Sequence, residues 1–325
     1  MLKSRPLRRA LFLLACLLSF NSMAQAPADC PPPAAPQTSP EAIEAGVKNA
    51  RDHGFLWRIE KDGHASYLYG TVHVGKQGWL YPGPQLRHAL RETDTMALEL
   101  DVFDPAIRER INQLMISQKG QPLPEKLQAR LRQQAAASCV SYETIAPLSP
   151  ELQVTTLAVM LAKKEGLDPA YGMDALLAGI GHSSQRQVVS LETPEQQMES
   201  VHMGSPRETQ AFVKASLKDM ESSKAQRILT RIAKAWEDHD YGTMENYASW
   251  CGCMETPIER KAMKRLLDER NPALAKGIDQ LHRNGRRVFA AVGSLHLFGP
   301  VGLPNLLQQM GYAVEQVTFA APDHP

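Results

Sequence analysis

The sequence is short of aromatic residues, 6% of 325, and of cysteine, five in all. Neither sign of charge is in excess, with 36 Lys and Arg against 35 Asp and Glu. Such a balance supplies no basic field for a polyanion, which argues against nucleic acid as a partner. Beyond the first 24 residues no apolar run approaches the roughly 20 residues that cross a bilayer, so the mature chain is expected to carry no transmembrane segment. His-Glu-x-x-His is missing, which excludes a zincin-type peptidase. No unit recurs at a period of about 20 to 50 residues, which excludes a solenoid.

What is present starts at the N-terminus. Lys3, Arg5, Arg8 and Arg9 precede an apolar stretch from Ala10 to Phe20, and Ser22-Met23-Ala24 follows with small residues. The pattern predicts a secretory signal peptide over residues 1–24, cut after Ala24. Leu13-Leu14-Ala15-Cys16 can also be read as a lipobox with Cys16 as a lipidated terminus, but apolar residues continue through Phe20, where a lipoprotein turns polar. Cleavage removes four basic residues and leaves 32 against 35 acidic, a net charge of about −3. The expected location is therefore periplasmic or secreted. In an oxidising compartment Cys30, Cys139, Cys251 and Cys253 are expected to form disulfides, with three connectivities open. Cys251-Gly252-Cys253 read as a soft-metal site lacks a second pair of ligands.

Residues 25–40, rich in proline and alanine, read as an extended tether, and a single domain over 41–325 follows. Phe55–Ile59 and Ser66–Tyr69 flank an Asp62-Gly63 turn, a hairpin signal. Further β-type runs lie at 95–100, 186–191, 287–292 and 312–319. Helical patterns lie between them: 84–91, 104–117, 124–138, 150–164, 172–182, an almost continuous stretch over 206–284, and 302–310. The fold class expected is α/β to α+β, a central mixed or mainly parallel sheet flanked by helices, with a large helical insertion at about 104–284.

Two junctions resemble each other across this distance: Tyr69-Gly70-Thr71-Val72-His73 and Val292-Gly293-Ser294-Leu295-His296. Each is an apolar β-run followed by Gly-x-x-His, which holds a histidine at the carboxyl edge of a strand, where open α/β sheets build their sites. Leu98-Glu99-Leu100-Asp101 ends another β-run, and period-two geometry puts Glu99 and Asp101 on one face. Carboxylates beside histidines suit a divalent metal or acid/base chemistry. Leu191-Glu192-Thr193-Pro194 repeats the theme, with Thr193 as helix N-cap and Pro194 at the first helical position. His53, His64, His88, His182, His202, His239 and His282 are read as surface or structural.

These segments resemble the TraB/GumN family, relatives of the Tiki proteins. The resemblance is carried in order by 68–73, 98–101, Tyr-Gly-Met-Asp at 171–174, Leu-Glu-Thr-Pro-Glu-Gln-Gln at 191–197, Glu-Arg-Asn at 269–271 and Ala-Val-Gly-Ser-Leu-His-Leu at 291–297. It covers about residues 45 to 319, and Cys251-Gly252-Cys253 is not part of it. It implies a fold like that of the Tiki, ChaN and erythromycin-esterase group, in which the Gly-x-x-His pair and a glutamate meet. It also implies a metal-dependent peptidase working with manganese or cobalt, or, as in other bacterial relatives, an inhibitor of peptide pheromones.

The expected function is thus a periplasmic metal-dependent hydrolase acting on a peptide or protein substrate. His73, Glu99 and His296 would hold one divalent ion (manganese, cobalt or zinc), Asp101 or Glu192 would serve as base or orienter, and Arg270 would bind a carboxylate or an oxyanion. The alternative is a non-catalytic binding protein that sequesters a peptide or a small cofactor such as haem.

Overall fold

The computed structural model describes residues 39–319 apart from 118, 119 and 121, together with 30–32 and 34. The expected signal peptide and Cys16 lie outside the described residues, as does most of the tether. Phe55–Lys61 (β1) and His64–Thr71 (β2) form the expected hairpin. Asp62 and Gly63 take φ of 53° and 81°, the left-handed pair that a two-residue turn requires. Thr95–Leu98 (β3), Gln187–Ser190 (β4), Val288–Gly293 (β5) and Ala313–Gln316 (β6) complete one six-stranded sheet in the order β4-β3-β5-β2-β1-β6. The strands β4, β3, β5 and β2 run parallel, and β1 is antiparallel to both β2 and β6. The sheet is therefore mixed and flanked by helices, as expected. β5 reads Val-Phe-Ala-Ala-Val because both of its faces are covered.

β4 returns to the sheet in the middle of the region expected as a helical insertion, so the helices fall into two stretches, one before it and one after. The near-continuous helix expected over 206–284 is broken into Pro206–Glu221, Lys224–Glu237, Tyr241–Glu245, Tyr247–Trp250, Pro257–Met263, a π-helical turn at Lys264–Asp268, and Asn271–Arg283. The breaks have local causes. Ser223, His239 and Gly252 adopt left-handed φ of 56°, 46° and 57°, and Pro257 and Pro272 sit where helices restart. Thr193 and Gln196 close a reciprocal capping box ahead of helix Pro194–Val201.

The main core lies on the sheet, with Phe55, Leu56, Ile59, Leu68, Tyr69 and Phe289 fully buried. Trp236 joins it from helix Lys224–Glu237, its indole N–H donating to the Gly70 carbonyl at 2.7 Å. A second core forms between helices Glu125–Ala137, Pro150–Leu161 and Pro206–Glu221 around Leu131, Val154, Leu157, Val213 and Leu217. Disulfides join Cys30 to Cys139 and Cys251 to Cys253, settling the connectivity that the sequence left open.

Glu151 fastens this helical layer. It is buried, and its carboxylate accepts from Thr209 Oγ1 at 2.7 Å and Met203 N at 3.2 Å. Burial works to raise the carboxyl, and the bonds from His202, Thr209 and the backbone outweigh it, holding the group down at about 2. The contribution is present in full above the unfolded value near 4.5 and is lost as pH falls through about 2. Glu151→Gln should cost up to about 3 kcal/mol at pH 7. The loss should shrink at pH 3 in urea denaturation, and an equal loss at both values would refute the assignment.

Candidate functional site

The four parallel strands all end on one edge of the sheet, and each delivers a polar group there. β2 brings Thr71 and, two residues on, His73; β3 is followed by Glu99; β4 is followed by Glu192; β5 ends at Gly293, with His296 in the 3-10 turn Ser294–Leu297. Gly70 permits this convergence, since a Cβ there would stand 2.8 Å from Ser294 Oγ and 2.9 Å from Leu297 Cδ1. Gly293 is the meeting point: a Cβ on it would lie 3.3 Å from Glu99 Oε1, 3.7 Å from His296 Cδ2 and 4.0 Å from His73 Nε2.

His296 is buried, with Nδ1 2.5 Å from Asn271 Oδ1. The Asn271 amide donates its Nδ2 hydrogens to the carbonyls of Val301 (2.8 Å) and His296 (3.3 Å), so its oxygen faces the ring. The ring hydrogen therefore sits on Nδ1, and Nε2 offers a lone pair to the site. Burial pushes this imidazole down to about 4, so it is neutral at ordinary pH.

His73 is tuned the other way. Its Nδ1 lies 2.8 Å from Asp174 Oδ2, and Asp174 in turn accepts from Thr71 Oγ1 at 2.7 Å. The charge and hydrogen bond of Asp174 raise the imidazole to about 9. Two thirds of the His73 side chain, 67%, is open to solvent, which screens part of that pull.

Glu99 lies between them. Its Oε1 accepts from Gly293 N at 2.7 Å and stands 3.7 Å from His296 Nε2. Its Oε2 accepts from Arg270 Nη2 at 2.6 Å and Gln197 Nε2 at 3.0 Å. Burial works to raise Glu99, and His296, Arg270 and His73 together hold it below the ordinary range. Arg270 also grips Glu192, Nε to Oε1 at 2.8 Å and Nη2 to Oε2 at 2.5 Å. Three carboxylates (Glu99, Glu192 and Asp174) thus face Arg270 and the His73 imidazolium.

His73, Glu99, Arg270 and His296 line a cavity of about 200 Å³ whose wall is otherwise largely apolar: Val72, Val159, Leu229, Ile232, Leu267 and Leu295. Residues 55–316 match the family described as TraB/PrgY/gumN. The chain belongs to that family. No curated protein and no solved structure matches the chain.

Of the expected site residues, this TraB/PrgY/gumN chain brings His73, Glu99, Arg270 and His296 to the cavity, with Glu192 behind Arg270. Asp101 does not join them. β3 ends at Leu98, so strand alternation does not carry Glu99 and Asp101 onto one face, and Asp101 turns to His182 Nε2 (2.8 Å) and Phe103 N (3.0 Å). Asp174, Asn271 and Gln197 hold the site together although sequence reasoning gave them no role. The signal was their place in the motifs at 171–174, 269–271 and 191–197.

A divalent ion fits the donors in kind: two imidazole Nε2 atoms whose Nδ1 atoms are held by partners, and a carboxylate oxygen. Among the described residues no three His, Cys, Asp or Glu side chains already form an ion-holding group.

Proposed function

We propose that this TraB/PrgY/gumN chain is a hydrolase of peptide bonds acting outside the cytoplasm. One observation carries the reading: His296 Nε2 and Glu99 Oε1, both acceptors, stand 3.7 Å apart, with Gly293 N–H holding Oε1 in place at 2.7 Å. A single water can donate one hydrogen to each, and a water so held is poised for attack with His296 as general base. His73, protonated and at the cavity mouth, is placed to give a proton to the leaving amine. Environments that drive two titratable groups apart in this way suit a base and an acid working together. Arg270 keeps Glu99 ionised and in place, with Glu192 steadying its far side. A divalent cation (manganese, cobalt or zinc) held by His73, Glu99 and His296 would take the place of the His73 ring proton and of the His296 base, and would supply Lewis acidity toward the water and the scissile carbonyl in their stead. The excess of carboxylates over cations favours such an ion. The apolar wall suits a substrate with an aliphatic side chain beside the scissile bond.

The two disulfides and the N-terminal pattern of basic then apolar residues support the extracytoplasmic location. Among the described residues no helix is long and apolar enough to cross a membrane.

The test combines calorimetric titration of manganese, cobalt and zinc with mass-spectrometric detection of peptide cleavage, on wild type, His73→Ala and His296→Ala. Cleavage lost in His296→Ala, and one-to-one ion binding lost in both variants, are the expected results. Undiminished cleavage in both variants would remove the mechanism. A peptide bound saturably and recovered uncut would replace it with sequestration.

A further inference from the structure

The Cys251–Cys253 pair stands apart from the cavity residues, and Gly252 is the single residue between its sulfurs. Cys251 is 1% exposed, whereas Cys253 is only half-buried, so Cys253 is the more accessible of the two to an incoming group. Lys224 braces the turn and is itself paired with Asp219 at 3.4 Å and Glu255 at 3.5 Å. Lys224 Nζ donates to the Gly252 carbonyl at 2.6 Å, and Gly252 takes a left-handed φ of 57° over it. Cys253 N–H donates to Cys251 Sγ at 3.1 Å, and the Tyr247 hydroxyl lies 3.4 Å from Cys253 Sγ.

We infer that Cys251–Cys253 is a thiol-exchange site, attacked at Cys253 with Cys251 as the leaving and resolving sulfur. The reaction partner is a thiolate. Its sulfur bonds to Cys253 Sγ, the Cys251–Cys253 bond breaks, and the electron pair passes to Cys251 Sγ. The Cys253 N–H, which already donates to Cys251 Sγ, stabilises the thiolate formed there, and a stabilised thiolate is a good leaving group. The mixed disulfide then has two fates. Cys251 attacks Cys253 Sγ and expels the thiol, or a second thiolate attacks the bound thiol's sulfur, releasing the external disulfide and leaving two cysteine thiols. Two external thiols are oxidised for each pair reduced. Because the ring encloses only Gly252, opening it loosens little chain, unlike the Cys30–Cys139 bond with its separation of 109 residues. The dithiol form therefore keeps the fold, and the exchange is reversible. This inference does not rest on the hydrolase reading.

The experiment uses the mature protein with both disulfides formed, in glutathione buffers of graded reduced-to-oxidised ratio, quenched with acid and digested with trypsin. The peptide over 235–260 should open while the urea midpoint holds, and the transient glutathione adduct should fragment to Cys253. In Cys251→Ser, oxidised glutathione should label Cys253 at least about tenfold faster than it labels Cys251 in Cys253→Ser. Should either variant fail to fold, the adduct position in the wild type decides alone. A peptide that stays closed in excess reduced glutathione, or an adduct on Cys251, overturns the inference.

Discussion

Arg270→Ala should destabilise the protein by about 3–5 kcal/mol, because it strips the cation from two carboxylates that are largely shielded from solvent. The side chains of Arg270, Glu99 and Glu192 are 11%, 11% and 3% exposed. Their pairing contributes little net stability over an apolar triad, since desolvation offsets much of the attraction. Removing the cation alone is another matter, because both carboxylates remain behind, buried and facing each other. Arg270→Lys should recover only part of the loss, since an ammonium cannot supply the planar fork that reaches Glu192 through Nε and Nη2 and Glu99 through Nη2. Adding Glu192→Gln to Arg270→Ala should restore stability, as one of the two orphaned charges is then gone. Urea midpoints of the three variants decide. A cost below about 1 kcal/mol for Arg270→Ala would mean that bulk solvent screens the triad as it does a surface pair.

The same triad marks where sequence reading succeeds and where it stops. Apolar runs ending in Gly70 and Gly293 revealed two parallel strands and the histidines they carry, because a buried strand is uniformly apolar and a glycine at its end signals close approach of another segment. Glu99 was legible for the same reason, as an acid between leucines. Glu192 was legible as a residue that the capping of helix Pro194–Val201 left unexplained. Asp101 misled because alternation was extended past Leu98, where the regular strand ends. The breaks in the helices after 206 were hidden: Ser223 and His239 carry no sequence mark of the left-handed conformation they adopt. Asn271 and Asp174 stood in motifs but drew no role, because what they do lies in a hydrogen bond to a ring 25 and 101 residues away in sequence.

Asn271 carries the largest functional expectation. The His296 ring can place its hydrogen on either nitrogen, and at equal cost half the molecules would present Nε2–H to the site, facing Glu99 Oε1 as a donor rather than holding a lone pair. Asn271 removes that choice, because its own amide is fixed by the carbonyls of Val301 and His296. Asn271→Leu keeps the approximate volume and deletes the acceptor. The ring should then carry its hydrogen on Nε2, bonded to Glu99 and 3.7 Å away before any relaxation. A base in the wrong tautomer costs about 10⁴-fold in a comparable imidazole site, and hydrolysis should fall by about 10³–10⁴-fold here. Stability should also drop, by about 1–3 kcal/mol, for the Val301 carbonyl left unpaired. Nitrogen NMR separates the two effects, because a protonated and an unprotonated ring nitrogen resonate far apart. The wild type should show hydrogen on Nδ1 from neutral pH down to about 4, where the ring gains its second proton. A wild-type spectrum with hydrogen on Nε2 would end the argument for His296 as base, whatever the variant's activity.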